Sequence, residues 1–241
     1  MAIFEENYRV NMSHVNANGV ITNKGILTIL EDVACRHSDT AEIGILDIPA
    51  KHVSWILLAW KVKIIKRILY NTNIRVCTWA KPFSKFQTCR DFEIYDEAGG
   101  IVCIATSKWT FIDTEKMSIK RIPEDVIEKY TPENKNVFGS LDIEKLTEPE
   151  SFSNEYIYKT QRRDIDINKH MHNLNYLDVA YEALPEDVYF APECNNIEIM
   201  YKKGIKLGDT IKCSYCFLDN SHYVVMKNNK TGMLNAIVKL N

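Results

Sequence analysis

The sequence predicts an α+β protein built as two copies of one plan, each copy an antiparallel sheet wrapped on a long helix. Three observations carry that expectation. Ile26, Ile29, Leu30, Val33, Ala34 and His37 form a stripe at helical spacing, and Asn173, Tyr176, Leu177, Ala180, Tyr181 and Leu184 repeat it 147 positions later. A short strand candidate precedes each stripe, Glu6 to Asn11 in the first copy and Asn154 to Lys159 in the second. Four strand-like runs follow each stripe, with a turn sequence between the third and the fourth.

In the first copy these runs are Trp55 to Ile65, Asn73 to Trp79, Thr88 to Tyr95 and Ile101 to Asp113, and Gly99-Gly100 turns the last two into a hairpin. In the second they are Ile197 to Lys203, Thr210 to Leu218, His222 to Lys227 and Leu234 to Leu240, with Asn228 to Gly232 as the matching turn. Residues 120 to 150 are rich in Pro, Glu and Lys and lack strong apolar periodicity, so they read as a linker holding a short helix near Glu124 to Lys129. The expected division is a first half at 1–120, a linker at 121–150 and a second half at 151–241. Joining the two sheets edge to edge would leave little edge exposed.

At 241 residues, with 46% hydrophobic and 26% charged, the chain can bury a sizeable core and has ordinary globular composition. A net charge of −2 carries no signature of nucleic-acid or membrane binding, although Lys61-Val62-Lys63-Ile64-Ile65-Lys66-Arg67 reads as a strand with one basic face. The start, Met1 to Asn7, lacks the basic region and apolar run of a signal peptide, and the longest strongly apolar run, Trp55 to Trp60, is too short to span a bilayer. A cytoplasmic protein, monomeric or homodimeric, is expected. Seven scattered cysteines, at 35, 77, 89, 103, 194, 213 and 216, argue for reduced thiols. Cys213 and Cys216 make a CxxC by count only. In a strand they face opposite ways, and no second Cys/His pair lies near, so a metal or redox role is not expected of them.

The chemistry concentrates in Arg163 to Tyr176. Asp164, Asp166 and Asn168 alternate with Ile165 and Ile167 as in a strand, and the helical stripe begins at Asn173. Asp166, Asn168 and His170 therefore gather at a helix N-terminus, where unpaired N–H groups and the positive end of the helix dipole suit an oxygen that becomes negative during a reaction. At the 147-residue offset, Gly19, Ile21 and Asn23 stand in their places. A structural need shared by both copies would have kept the trio in both, so its one-sidedness points to function. The motif by itself leaves open a helix capped by Asn168 or Asn173, with solvated Asp164 and Asp166 and a surface His170.

Asp166-x-Asn168-x-His170-x-x-Asn173-x-x-Tyr176, set in a doubled strand–helix–four-strand plan, resembles the acyl-acyl-carrier-protein thioesterase family. The resemblance covers nearly the whole chain. It rests also on Leu27 to Gly44, Trp55, Ala105 to Trp109, Ile197 to Tyr201 and Gly208-Asp209. It implies a tandem (double) hot-dog fold and hydrolysis of the thioester between a fatty acyl chain and acyl carrier protein, which ends chain growth in fatty acid biosynthesis. It implies no metal or organic cofactor. The family's catalytic Asp, Asn and His carry over to Asp166, Asn168 and His170. Asn173 and Tyr176 are candidates to contact substrate, and Ile29, Val33, Trp55, Leu57 and Trp109 are candidates for the acyl slot by resemblance, each of which also reads, and by preference, as a core residue.

Two positions depart from the family pattern. His172 replaces the first of two Asn, and Gly204-Ile205 stands where the family places a catalytic Glu, in some members followed by Cys. The missing carboxylate leaves Asp166 and His170 to activate water, and Gly204→Glu is expected to raise turnover. Acyl carrier protein is acidic, so Lys61, Lys63, Arg162, Arg163, Lys202 and Lys203 are the candidate guides for it. An acyl-CoA thioesterase of the same fold and a weakly catalytic or non-catalytic acyl-binding protein are the alternatives.

Overall fold

The computed structural model describes residues 2–192 and 194–241. Among the described residues, which include all seven cysteines, there is no disulfide. The chain divides into two compact units, Met1–Ile143 and Glu144–Asn241.

The first unit runs β1 (Phe4–Arg9), α1 (Asn23–Thr40), α2 (Ile48–Lys51), β2 (Val53–Ile64), β3 (Asn73–Ala80), β4 (Gln87–Tyr95), β5 (Ile101–Asp113), β6 (Ser118–Ile119) and α3 (Glu124–Tyr130). Its sheet order is β1-β3-β4-β5-β2, antiparallel throughout, with β6 on the end of β5. α1 starts where Thr22 Oγ1 accepts the Gly25 N–H at 2.9 Å. Position 25 must be glycine, because a Cβ there would fall 2.3 Å from the His14 carbonyl oxygen. Along α1, Ile26, Leu27, Ile29, Leu30 and Val33 have no exposed surface. Each such side chain contributes about 1.5–3 kcal/mol over its exposed state.

α3 belongs to this unit, because Val126 and Tyr130 pack into a cluster with Val53, Ala80 and Phe111, bordered by Trp55 and Phe83. Residues 131–143 then cross β3, β4 and β5 as a strap. Its fastening is polar: Trp79 Nε1 donates to the Lys135 carbonyl (2.9 Å), the Val137 N–H donates to Asp91 Oδ2 (2.9 Å), and Lys81 Nζ donates to the Ser140 carbonyl (3.0 Å). Lys81 and Asp91 pair at 3.0 Å with 1% and 0% of their side chains exposed.

The second unit runs β7 (Asn154–Lys159), α4 (Asn175–Glu182), α5 (Glu186–Tyr189), β8 (Asn196–Tyr201), β9 (Thr210–Leu218), β10 (Ser221–Asn228) and β11 (Leu234–Leu240). Its sheet order is β8-β11-β10-β9-β7, again antiparallel. Here the helix is shorter than its stripe suggests, 8 residues against 18 in α1. Pro185 is the reason: it lacks an N–H, its ring disfavours helical backbone at Leu184, and the chain restarts as α5. Among the described residues no helix is long and apolar enough to cross a membrane.

Candidate active site

After β7 the chain makes a 3-10 turn, Arg162–Asp164, and then a tight loop closed by an antiparallel bridge between Ile165 and Met171. Asp164 is not solvated. It is 5% exposed, and its Oδ2 accepts the Tyr158 hydroxyl (2.7 Å) and the Gln161 N–H (2.6 Å). Its carbonyl accepts the His172 N–H (2.8 Å), which fixes the exit of the loop.

Inside the loop Asp166 is the organiser. Its Oδ1 accepts the N–H groups of Asn168 (2.8 Å) and His170 (3.2 Å), while its own N–H donates to the His170 carbonyl (2.8 Å). This winding puts Lys169 at φ 60°. His170 Nδ1 lies 2.8 Å from the Asn168 carbonyl oxygen. A carbonyl can only accept, so Nδ1 carries the proton and, in the neutral ring, Nε2 presents a lone pair. The loop thus brings Asp166, Asn168 and His170 together, with the Asn168 side chain exposed and the His170 ring half-buried.

Asn173 and Tyr176 stand behind the loop. The Tyr201 hydroxyl donates to the Asn173 carbonyl (3.1 Å), and the Tyr176 hydroxyl accepts the Ile205 N–H (3.1 Å), whose own carbonyl accepts the Met171 N–H (2.8 Å). Burial, partly opposed by the Ile205 N–H and reinforced by Asp166, pushes the Tyr176 hydroxyl up to about 12, so it stays protonated. The two tyrosine rings meet edge to face at 5.2 Å. Among the described residues the N–H groups of Asn173 and Leu174, at the start of α4, take no backbone acceptor.

Gly204 backs directly onto His170. A Cβ at 204 would lie 2.7 Å from His170 Cδ2 and 3.4 Å from Nε2, and Gly204 does not occupy the left-handed region, so it is glycine for space. This changes the expected result of Gly204→Glu: a side chain there cannot be added while His170 keeps its pose. Glu198, the nearest carboxylate earlier on β8, faces Lys239 of β11 across the strands at 3.4 Å.

The structure also corrects the register of the repeat. β1 and β7, the two 3-10 turns and the two bridges recur at 150 residues, not 147. Asn16 then matches Asp166, and Asn16 Oδ1 accepts the Asn18 and Val20 N–H groups as Asp166 Oδ1 accepts those of Asn168 and His170. Gly19, at φ 71°, matches Lys169. The turn-making oxygen and the Asn two residues on are therefore common to both copies. One-sided are the imidazole, in whose place the other copy has Val20, and the charge of Asp166, in whose place it has the neutral Asn16.

Of the acyl-slot candidates, Trp55 and Trp109 line a largely apolar cleft of about 620 Å³, counting its open mouth, within the first unit. Ile29, Val33 and Leu57 are core instead, at most 3% exposed. The sequence reading missed Phe83, Arg90 and Tyr130, which also line the cleft. Tyr130 fell in the stretch read as linker, and Arg90 carries no motif. Trp55 Nε1 donates to the Tyr130 hydroxyl (3.1 Å), which donates to Ser38 Oγ (3.0 Å), so one wall is held by hydrogen bonds. Among the described residues no three His, Cys, Asp or Glu gather as metal ligands. Burial pushes the Cys213 thiol up to about 12 and raises that of Cys216, so neither is poised as a thiolate.

Comparisons with known proteins agree along the whole chain. The family model for the acyl-ACP thioesterase N-terminal domain matches residues 1–130, and that for the C-terminal domain matches residues 147–237. Oleoyl-acyl carrier protein thioesterase 2, chloroplastic, of Arabidopsis thaliana is 25% identical over 225 residues, covering 86% of this chain and 61% of that protein. Palmitoyl-acyl carrier protein thioesterase, chloroplastic, of Gossypium hirsutum is 21% identical over 215 residues, covering 83% and 52%. The chain therefore spans between half and two thirds of the length of these curated relatives. Among solved structures, an acyl-ACP thioesterase from Bacteroides thetaiotaomicron superposes with a TM-score of 0.85 at 20% identity, over 99% of this chain and 97% of that one. The 12:0-ACP thioesterase from Umbellularia californica gives 0.87 at 16%, over 100% and 97%. The fold is accordingly the tandem hot-dog that the motif implied. Two domain models in the right order, over nearly every residue, settle the kinship: this chain belongs to the acyl-ACP thioesterase family.

Proposed function

We propose that the chain hydrolyses fatty acyl-acyl carrier protein to free fatty acid and the carrier thiol. The observation that carries this reading is the His170 ring, oriented through Nδ1 by the Asn168 carbonyl and one-sided between two otherwise matching loops. Nε2 takes a proton from water as the water oxygen bonds to the thioester carbonyl carbon. The imidazolium charge is stabilised by the Asn168 carbonyl at Nδ1. The oxyanion is held by the N–H groups of Asn173 and Leu174 and by the Asn168 side-chain amide. Collapse breaks the C–S bond, and the thiolate takes the proton back from Nε2. An alkyl thiol has a pKa of roughly 8.5, so it leaves with little acid assistance. Asp166 acts by holding the turn that aims His170, and the Tyr176–Ile205 bond fixes the wall behind it. No carboxylate base is required at 204, although its absence favours a slow enzyme.

The cleft beside Trp55 and Trp109 offers the apolar surface that an acyl tail needs. Acyl carrier protein is the carrier in this reading because exposed Arg162, Arg163, Lys202 and Lys203 lie on the segments flanking the His170 loop. A cytosolic location fits seven cysteines that form no disulfide.

The test is free-fatty-acid release from matched acyl-ACP and acyl-CoA panels. His170→Ala and Asn168→Ala should each lower acyl-ACP turnover by about a hundredfold or more, with thermal unfolding unchanged. Wild-type rates in both variants would place the chemistry elsewhere, and no release from any thioester would leave an acyl-binding protein.

A further inference from the structure

Arg90, on β4, is a buried cation in the wall of an apolar cleft. It is 5% exposed, yet it lines the cavity whose other walls include Ala34, Ala80, Phe83 and Trp55. Its partners are all neutral. One guanidinium nitrogen donates to His37 Nδ1 at 2.7 Å and to Thr78 Oγ1 at 3.3 Å, and the group lies 5.6 Å from the centre of the Tyr130 ring. The neighbouring carboxylate, Asp91, is engaged by Lys81 and Thr106 instead. Among the described residues no carboxylate pairs with Arg90. Behind it, His37 stacks on Phe4 at 5.4 Å and meets the edge of Tyr130 at 5.4 Å, so the group cannot swing aside without disturbing packed rings.

We propose that Arg90 is the stop that sets the acyl chain length this protein accepts, a reading that rests on the thioesterase function above and on the cleft as the place of the tail. Each methylene buried against the apolar walls should raise binding about fourfold. A methyl end that reaches Arg90 meets a guanidinium without a counter-ion. One more methylene must strip that charge of its remaining contacts, so the gain turns into a penalty. The preference should therefore break off at one length instead of tapering.

Two series on the full chain test this: hydrolysis of saturated acyl-ACP of graded length, and binding of n-alkanols of the same lengths, which involves no thioester. In the wild type both signals should climb about fourfold per carbon and then fall about tenfold or more within the next two carbons. In Arg90→Met the break should move to chains longer by about two carbons or more, and in the shorter but polar Arg90→Gln by less. Replacing a buried charge by an apolar side chain is commonly neutral or stabilising, and thermal unfolding of both variants checks that they fold. A break that stays put in both variants, or a smooth taper in the wild type, overturns the proposal. So does tighter wild-type binding of a chain ending in a carboxylate than of the alkanol of equal length, because Arg90 would then be an anion site. A break that appears and moves in the alkanol series while no acyl-ACP is hydrolysed would uphold the stop and remove the thioesterase reading.

Discussion

His170 and Gly204 must be understood as a pair. The imidazole fills the space that any side chain at 204 would need, with 2.7 Å between the would-be Cβ and Cδ2. A ring held by one hydrogen bond at Nδ1 and by contact on its face keeps Nε2 in a fixed direction. Displacing a reacting group by about an ångström can cost a hundredfold, so Gly204→Ala should lower turnover on acyl-ACP by about ten- to a hundredfold while unfolding stays near wild type. Gly204→Glu should lose activity for the same reason, unless its carboxylate takes over the base role from a displaced His170. Steady-state rates of the two variants separate these cases, and a fully active Gly204→Ala would mean that the ring's position is not what limits the reaction.

At the scale of elements, the strap 131–143 is fastened by a buried ion pair. Asp91 accepts from Lys81, Thr106 and the Val137 N–H, so its carboxylate joins β3, β4, β5 and the strap. Removing one partner leaves a buried charge uncompensated. Asp91→Ala should cost about 3–5 kcal/mol in urea unfolding, and the double change Lys81→Met with Asp91→Leu should recover much of it. A single-variant loss under about 1 kcal/mol would mean that water reaches Lys81. Tyr130, the last residue of α3, stands just before the strap, which is how a stretch without apolar periodicity comes to form a wall of the cleft.

For the molecule as a whole, charge decides little about folding and much about the partner. The net charge is −2, yet Lys202 and Lys203 are exposed on the way to Gly204, with their backbone held by Asn235. Reversing both to Glu should raise KM for acyl-ACP severalfold and flatten its dependence on salt, because such exposed charges act on encounter with an acidic carrier more than on chemistry. Short acyl-CoA substrates should be nearly unaffected. Equal effects on both carriers would assign these lysines to the phosphopantetheine arm that the two share.

Strand runs, the doubled plan, the helix near Glu124 and the gathering of Asp166, Asn168 and His170 were all legible in the sequence, because alternation and helical stripes are local properties of burial. The register of the repeat was not. A slip of three residues turns a helix by only about 60° from its starting face, so a stripe fits nearly as well at 147 as at 150. Burial resolves it: Tyr176, Leu177, Val179, Ala180, Ala183 and Leu184 are buried as Ile26, Leu27, Ile29, Leu30, Val33 and Ala34 are. With that register the turn-making oxygen of Asp166 is shared with Asn16, and what remains one-sided is His170 and the charge of Asp166. The cleft, the solitary Arg90 and the contact between Gly204 and His170 depend on residues far apart in the chain, and only tertiary packing brings such groups within a few ångströms. The sequence thus determined which elements form and where the polar motif lies, since those follow from each residue's own preference for water. Tertiary structure decided how the motif's groups brace one another, since that follows from what each one touches.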